Sequence, residues 1–144
     1  MELNEFLSLM QKHGAHFYAP VPATEIPLVN SALQNMRCAI LPQPIINLYQ
    51  HCGAISMGCG YIYGPIDTPR GTKYPIPGLV SINADLTGIS KLRGLTIFGR
   101  NDLFWFAFDS FGKFSMLDNI TLDILRQYDD AYHAMSDCLV AGKI

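Results

Sequence analysis

Leu103-Phe104-Trp105-Phe106-Ala107-Phe108, then Asp109-Ser110-Phe111-Gly112, then Lys113-Phe114-Ser115-Met116-Leu117 is the stretch that decides the fold. The first six residues are apolar on both faces of an extended chain, as in a strand at the centre of a sheet. Asp109 and Gly112 bracket a hairpin turn, with Gly112 suited to positive φ. Lys113 to Leu117 is the return strand. Just upstream, Leu95 to Phe98 reads as a further strand, so this part of the chain predicts an antiparallel meander. Its tryptophan, Trp105, is expected to be largely buried among Phe104, Phe106 and Phe108; the alternative is an exposed tryptophan in an interface.

Outward from the meander the period changes. Leu3, Phe6, Leu7 and Met10 recur at helical spacing, and His13-Gly14 ends that helix with the glycine as C-cap. Tyr18 to Pro22 is a connector punctuated by proline. A second helix begins near Thr24, with Ile26, Val29, Leu33 and Met36 as its apolar stripe and Pro27 tolerated in the first turn. A third opens at Leu41-Pro42, buries Ile45, Ile46, Leu48, Tyr49 and Cys52, and stops at Gly53. Gly58 to Pro65 reads as one short strand between glycines. Four prolines between Pro65 and Gly78 predict the longest loop of the chain. Leu79 to Leu92 is ambiguous between strand and helix. Beyond the meander, Thr121 is expected to cap a short helix. Tyr128, Ala131, Tyr132, Met135, Cys138 and Leu139 then mark a closing helix that stops at Gly142-Lys143-Ile144. Helices, a meander and a final helix give an α+β fold. It is expected to be a single domain over residues 1–144, with an antiparallel-rich mixed sheet packed with helices.

Charged residues make up 15% of the chain and hydrophobic residues 49%. So few charges leave aromatic or aliphatic side chains on the surface, where they mark contact sites. The net charge of −2 argues against a nucleic-acid domain, which needs a basic face. The charge is unevenly spread. From Asp102 onward seven aspartates meet three basic residues, a net of −4, whereas five acids and seven bases before it give +2. No apolar run approaches a membrane span of ~18 residues. The acidic Met-Glu-Leu-Asn-Glu start is unlike an export signal. A cytoplasmic protein with reduced, mostly buried thiols at Cys38, Cys52, Cys59 and Cys138 is expected, with no disulfide.

The search for chemistry finds no catalytic signature. His51-Cys52 resembles a nucleophile with its base, but adjacent helical residues do not face each other. His13, His16 and His133 lack a metal-ligand spacing. The glycines from Gly53 to Gly64 open a strand, not the helix a phosphate loop requires. Asp129-Asp130 suits the start of the last helix through the helix dipole. No catalytic residue, metal or cofactor is expected.

Leu41-Pro42, Leu48-Tyr49, Cys52-Gly53 and Ile62-Tyr63-Gly64, followed by Leu95-Thr96-Ile97-Phe98-Gly99, Trp105 to Asp109, Gly112 and the Tyr128-Asp129-Asp130 helix, make a pattern that resembles the SMI1/KNR4 (SUKH) superfamily. It spans roughly residues 41–140, with Cys52 where the family usually carries Asn. The resemblance implies a sheet backed by helices and a non-catalytic, protein-binding role. Bacterial members are regarded as immunity proteins that neutralise polymorphic toxins, often nucleases; fungal members resemble regulatory interaction proteins. The expected partner is therefore a protein, a basic toxin domain if the bacterial members are the guide, rather than nucleic acid or a membrane. The candidate contact residues are Asp102, Asp118, Asp129 and Asp130 in the acidic third, with Tyr61 and Tyr63 as a second region. The alternative is a small-ligand protein or enzyme using residues 58–78, which converging Arg70, Lys73 and Tyr63 would favour.

Overall fold

The computed structural model describes residues 1–140, so the expected stop at Gly142-Lys143-Ile144 lies outside the described residues. The helices are α1 (Leu3–Lys12), α2 (Glu25–Asn35), α3 (Gln43–Tyr49), α4 (Leu79–Asp85) and α5 (Ala131–Val140). The strands are β1 (His16–Phe17), β2 (Ile55–Met57), β3 (Gly60–Ile62), β4 (Thr68–Arg70), β5 (Lys73–Ile76), β6 (Leu95–Arg100), β7 (Phe104–Asp109), β8 (Phe114–Asp118) and β9 (Ile124–Tyr128).

Seven strands form one sheet in the order β1-β2-β3-β6-β7-β8-β9, and β4 and β5 form a separate hairpin. The fold is α+β. All the pairings of the large sheet are antiparallel, so the mixed character expected of it does not occur among the described residues. The long connection from β3 to β6 carries the hairpin and α4 and returns the chain in the antiparallel sense.

One face of the sheet is dry. Phe106 and Phe108 of β7 pack there with Phe98 and Phe114, ring centroids 5.3–6.3 Å apart. Helix α5 lies across this face, touching β2, β3 and β6 to β9, and α1 packs on α5 and α3 on α1. Phe6, Met10, Leu33, Ile45, Leu48 and Met135 are fully buried in the same core. Close approach of α5 depends on two glycines. A Cβ on Gly60 would stand 2.7 Å from the Cys138 carbonyl oxygen, and one on Gly99 would stand 2.6 Å from the Tyr61 carbonyl oxygen and 2.9 Å from Cys138 Sγ.

Helix α4 is held to the sheet by an amide. Where β3 leaves β6, the side chain of buried Asn83 takes the next ladder position. Its Nδ2 donates to the Ile97 carbonyl at 2.9 Å and its Oδ1 accepts from the Ile97 N–H at 2.9 Å. Nδ2 also donates to the Leu79 carbonyl at 2.8 Å.

Several sequence expectations change. The strand between Gly58 and Pro65 is half of a hairpin, because Ile55–Met57 precedes it and pairs Ile55 with Ile62. The proline-rich segment is not a long loop: Pro69 and Pro75 lie in β4 and β5, whose pairing runs from Thr68–Ile76 to Arg70–Lys73. Leu79–Asp85 is helical. Thr121 caps no helix. Asp118 accepts hydrogen bonds from the Ile120 and Thr121 N–H groups at 2.8 Å, and Leu122 takes a positive φ of 63°, which turns the chain straight into β9. Tyr128 accordingly ends a strand and is not the first residue of the last helix.

Candidate functional site

Helix α5 covers one face of the sheet, so side chains of opposite parity on β3, β6 and β7 turn to the other face. The register brings three of them side by side: Tyr61 opposite Arg100, and Arg100 opposite Trp105. Trp105 is therefore not in the phenylalanine core. It is half-buried on the face opposite Phe106 and Phe108, because neighbours on a strand point to opposite sides. With Cys59, Tyr61, Arg100, Asn101, Asp102 and Asn119 it lines an open cleft of about 300 Å³. Buried Asn101 shapes this end. Its Oδ1 accepts from the Leu103 and Phe104 N–H groups at 2.9 Å, and its Nδ2 donates to the Cys138 carbonyl at 3.2 Å.

A second cleft, of about 270 Å³, adjoins the first through Tyr61 and Arg100. Tyr63, Arg70, Ile82 and the Tyr74-Pro75-Ile76-Pro77 run complete it. The β4–β5 hairpin is tied down at its base by Asp67, whose Oδ1 accepts from the Gly78 N–H at 2.7 Å and the Ser81 hydroxyl at 2.9 Å. At its tip Arg70 Nε donates to the Tyr74 carbonyl at 2.8 Å, and the guanidinium carbon sits 5.7 Å from the centre of the Tyr61 ring. Tyr63 is 2% exposed. Burial pushes its hydroxyl up to about 12, with the positive charge of Arg100 pulling the other way. Of the three residues whose convergence would favour a small-ligand site, Arg70 and Tyr63 meet here. Lys73 does not line the cleft, and Arg100 supplies the second cation.

Five of the seven aspartates of the acidic third have partners within the fold. Asp109 accepts from the Phe111 and Lys113 N–H groups at 2.9 Å in the hairpin turn. Asp118 holds the turn before β9, and those backbone hydrogen bonds keep its carboxyl below the ordinary range. Asp123 pairs with Lys91 at 2.7 Å. Asp130 caps α5 through the Tyr132 N–H at 3.0 Å and meets the Met1 amino group at 2.8 Å. Asp137 pairs with Arg126 at 3.0 Å and accepts from the Tyr128 hydroxyl at 2.7 Å. Among the described residues, Asp102 and Asp129 are the two of the seven whose carboxylates have neither a hydrogen bond nor an ion pair. Both are exposed, and Asp102 borders the Trp105 cleft.

The other candidate chemistry is dispersed. Cys52 is buried with its Sγ directed at the Leu48 carbonyl, 3.8 Å away, and burial pushes its thiol up to about 12. That thiol stays protonated at neutral pH and is a poor nucleophile. Each of the four cysteines is a free thiol. No group of three or more His, Cys, Asp or Glu side chains placed to hold a metal ion occurs among the described residues. No helix among them is long and apolar enough to cross a membrane.

Arg100 is the site residue that sequence reasoning missed, and Trp105 was expected in the core, with an interface position as the alternative. An all-apolar strand does not announce which side faces the helix. Arg100, placed at the end of a strand by its pairing, was the available sign of the wet face.

No protein-family model matches the chain, no curated protein matches it, and no solved structure matches it.

Proposed function

We propose that this protein is a protein-binding module without a catalytic centre of its own, and that its partner docks on the Tyr61–Arg100–Trp105 face. The observation that carries this reading is the cross-strand row itself. Tyr, Arg and Trp are the residue types that dominate binding energy at protein interfaces. Here they are adjacent, partly exposed and mounted on paired strands, so little conformational entropy remains to be lost on docking. Tyr74, Leu103 and Ile120 add exposed apolar surface at the surrounding turns and hairpin.

The finer reading is that of an immunity-type protein of the kind the SUKH resemblance implies, holding a toxin domain inactive by direct contact. Asp102 on the rim is the acid best placed to meet a basic side chain of such a partner. Co-expression with a cognate toxin should restore growth of a sensitive cell, and Trp105→Ala should abolish the rescue while the protein stays folded. A folded Trp105→Ala variant that rescues as well as wild type would remove this face from the mechanism.

The second reading, a small-ligand protein, draws on the Tyr63–Arg70–Arg100 cleft. Its volume, about 270 Å³, lies just below the ~300 Å³ at which pockets for whole drug-sized molecules begin. A single side chain of a docked protein fits it better.

A further inference from the structure

The second cleft has a sign. Two guanidiniums, Arg70 and Arg100, line it, and no carboxylate does. Neither arginine forms an ion pair among the described residues. Asp102 lines the adjoining cleft with Arg100 but stands outside ion-pair distance of it. Arg70 is oriented in advance: its Nε is engaged by the Tyr74 carbonyl and its guanidinium carbon sits over the Tyr61 ring, which leaves the terminal N–H groups for a ligand. The third polar group is Tyr63. Its side chain is almost wholly buried, yet its hydroxyl makes no hydrogen bond with any described residue. No buried side-chain oxygen is sealed off without a partner, so this hydroxyl keeps its opening on the cleft it lines. The walls, Tyr61, Tyr74, Pro75, Pro77 and Ile82, are aromatic or apolar.

We infer that this cleft receives a carboxylate side chain, Asp or Glu, from an acidic segment of the protein partner. The inference rests on the protein-binding reading above and adds the chemistry of the contact. Guanidinium matches a carboxylate with two parallel hydrogen bonds, and such bonds are stronger than neutral ones. The Tyr63 hydroxyl donates a further bond to the same oxyanion. Partial shielding by the tyrosine and proline walls strengthens the pairing relative to open water. The cleft belongs to the part of the chain that carries the positive charge excess, so the acidic segment is also steered to it.

The test uses the whole chain and three probes: an acetylated, amidated hexaglutamate peptide, the matching hexaglutamine peptide, and inorganic phosphate. Binding is followed by the NMR signals of the arginine Nε–H groups and by tryptophan fluorescence. Hexaglutamate should bind one to one, shifting Arg70 and Arg100 but not Arg93, which lines a different cavity. Arg70→Gln and Arg100→Gln should each weaken it about tenfold or more, and Tyr63→Phe severalfold without loss of stability. Arg93→Gln should leave it unchanged, and hexaglutamine should not bind. Hexaglutamate binding that survives both arginine substitutions would overturn the inference, as would phosphate binding at least as tightly as hexaglutamate. Failure of the broader reading looks different. If hexaglutamate binds as described but no partner protein depends on Trp105, the docking face is wrong and the anion site stands. If a partner depends on Trp105 but is indifferent to Arg70→Gln and Arg100→Gln, the anion site is wrong and the docking face stands.

Discussion

Replacing Asn83 tests whether α4 is held to the sheet by a side chain standing in for a strand. Its amide makes both ladder bonds to Ile97, at 2.9 Å each, and Ile97 is 2% exposed. Asn83→Leu keeps the heavy-atom count and branching of the side chain, with bulkier methyl groups, and suits the helix, but leaves the Ile97 N–H and C=O buried without partners. A buried polar group left unsatisfied costs roughly 1–3 kcal/mol, so the pair costs about 2–6 kcal/mol. Total stability for a domain is typically about 5–15 kcal/mol, so this is a large fraction. At about 3 °C per kcal/mol for a chain of this size, the melting temperature should fall by about 6–18 °C. Thermal and urea unfolding followed by circular dichroism measure it. Asn83→Asp should also destabilise, since it keeps an acceptor for the Ile97 N–H but loses the donor to the carbonyl and buries a charge. An Asn83→Leu protein that melts within about 3 °C of wild type would refute the reasoning, because the amide would then not be completing the ladder.

Other expectations follow from the same geometry. Trp105→Ala should cost only about 1–2 kcal/mol, because the ring is half-buried, whereas fully buried Phe106→Ala should cost about 3–5 kcal/mol; paired urea titrations separate the two. Gly99→Ala forces a methyl group against the Tyr61 carbonyl and Cys138, so it should destabilise by about 1–3 kcal/mol, read as a lower urea midpoint. Asp118 and Asp123 are held below their ordinary range, Asp118 by the Thr121 and Ile120 N–H groups and Asp123 by Lys91. Their stabilisation is complete above an unfolded pKa of about 4 and is lost as pH falls through the lower folded values. Melting temperature should therefore drop below about pH 4, and less steeply in Asp118→Asn.

The long elements were legible and the short ones were not. The hairpin at Asp109–Gly112 was readable because turn chemistry sits between two apolar runs, and Gly112 has the positive φ of 76° that the reading required. Helices α1 and α5 were readable from spacing, with Phe6, Met10, Met135 and Cys138 buried. Strands β1 and β2 span two and three residues, too few to show a period. Strands β4 and β5 carry prolines, which normally argue against a strand, but a two-stranded hairpin is all edge and tolerates them. The β8–β9 connection misled because Asp118, Thr121 and Asp123 look like helix-start residues, and the same hydrogen-bonding capacity built a turn. For the site, Tyr61 and Tyr63 were named from the chain. The row linking Tyr61 to Trp105 through Arg100 depends on register across three strands. The acids drew attention through their number, but most are taken up by turns, a helix cap and ion pairs.

The central claim is that the open sheet face, and not the acidic third, is where a partner is held. The direct measurement is the equilibrium affinity of the purified partner for wild type, Trp105→Ala, and an Asp129→Asn/Asp130→Asn double variant, each first shown to be folded by its melt. A hot-spot tryptophan is worth about 2 kcal/mol or more, so Trp105→Ala should weaken binding at least about thirtyfold, while the double variant stays within about threefold of wild type. Wild-type affinity in a folded Trp105→Ala protein, with binding lost in the double variant, would contradict the account.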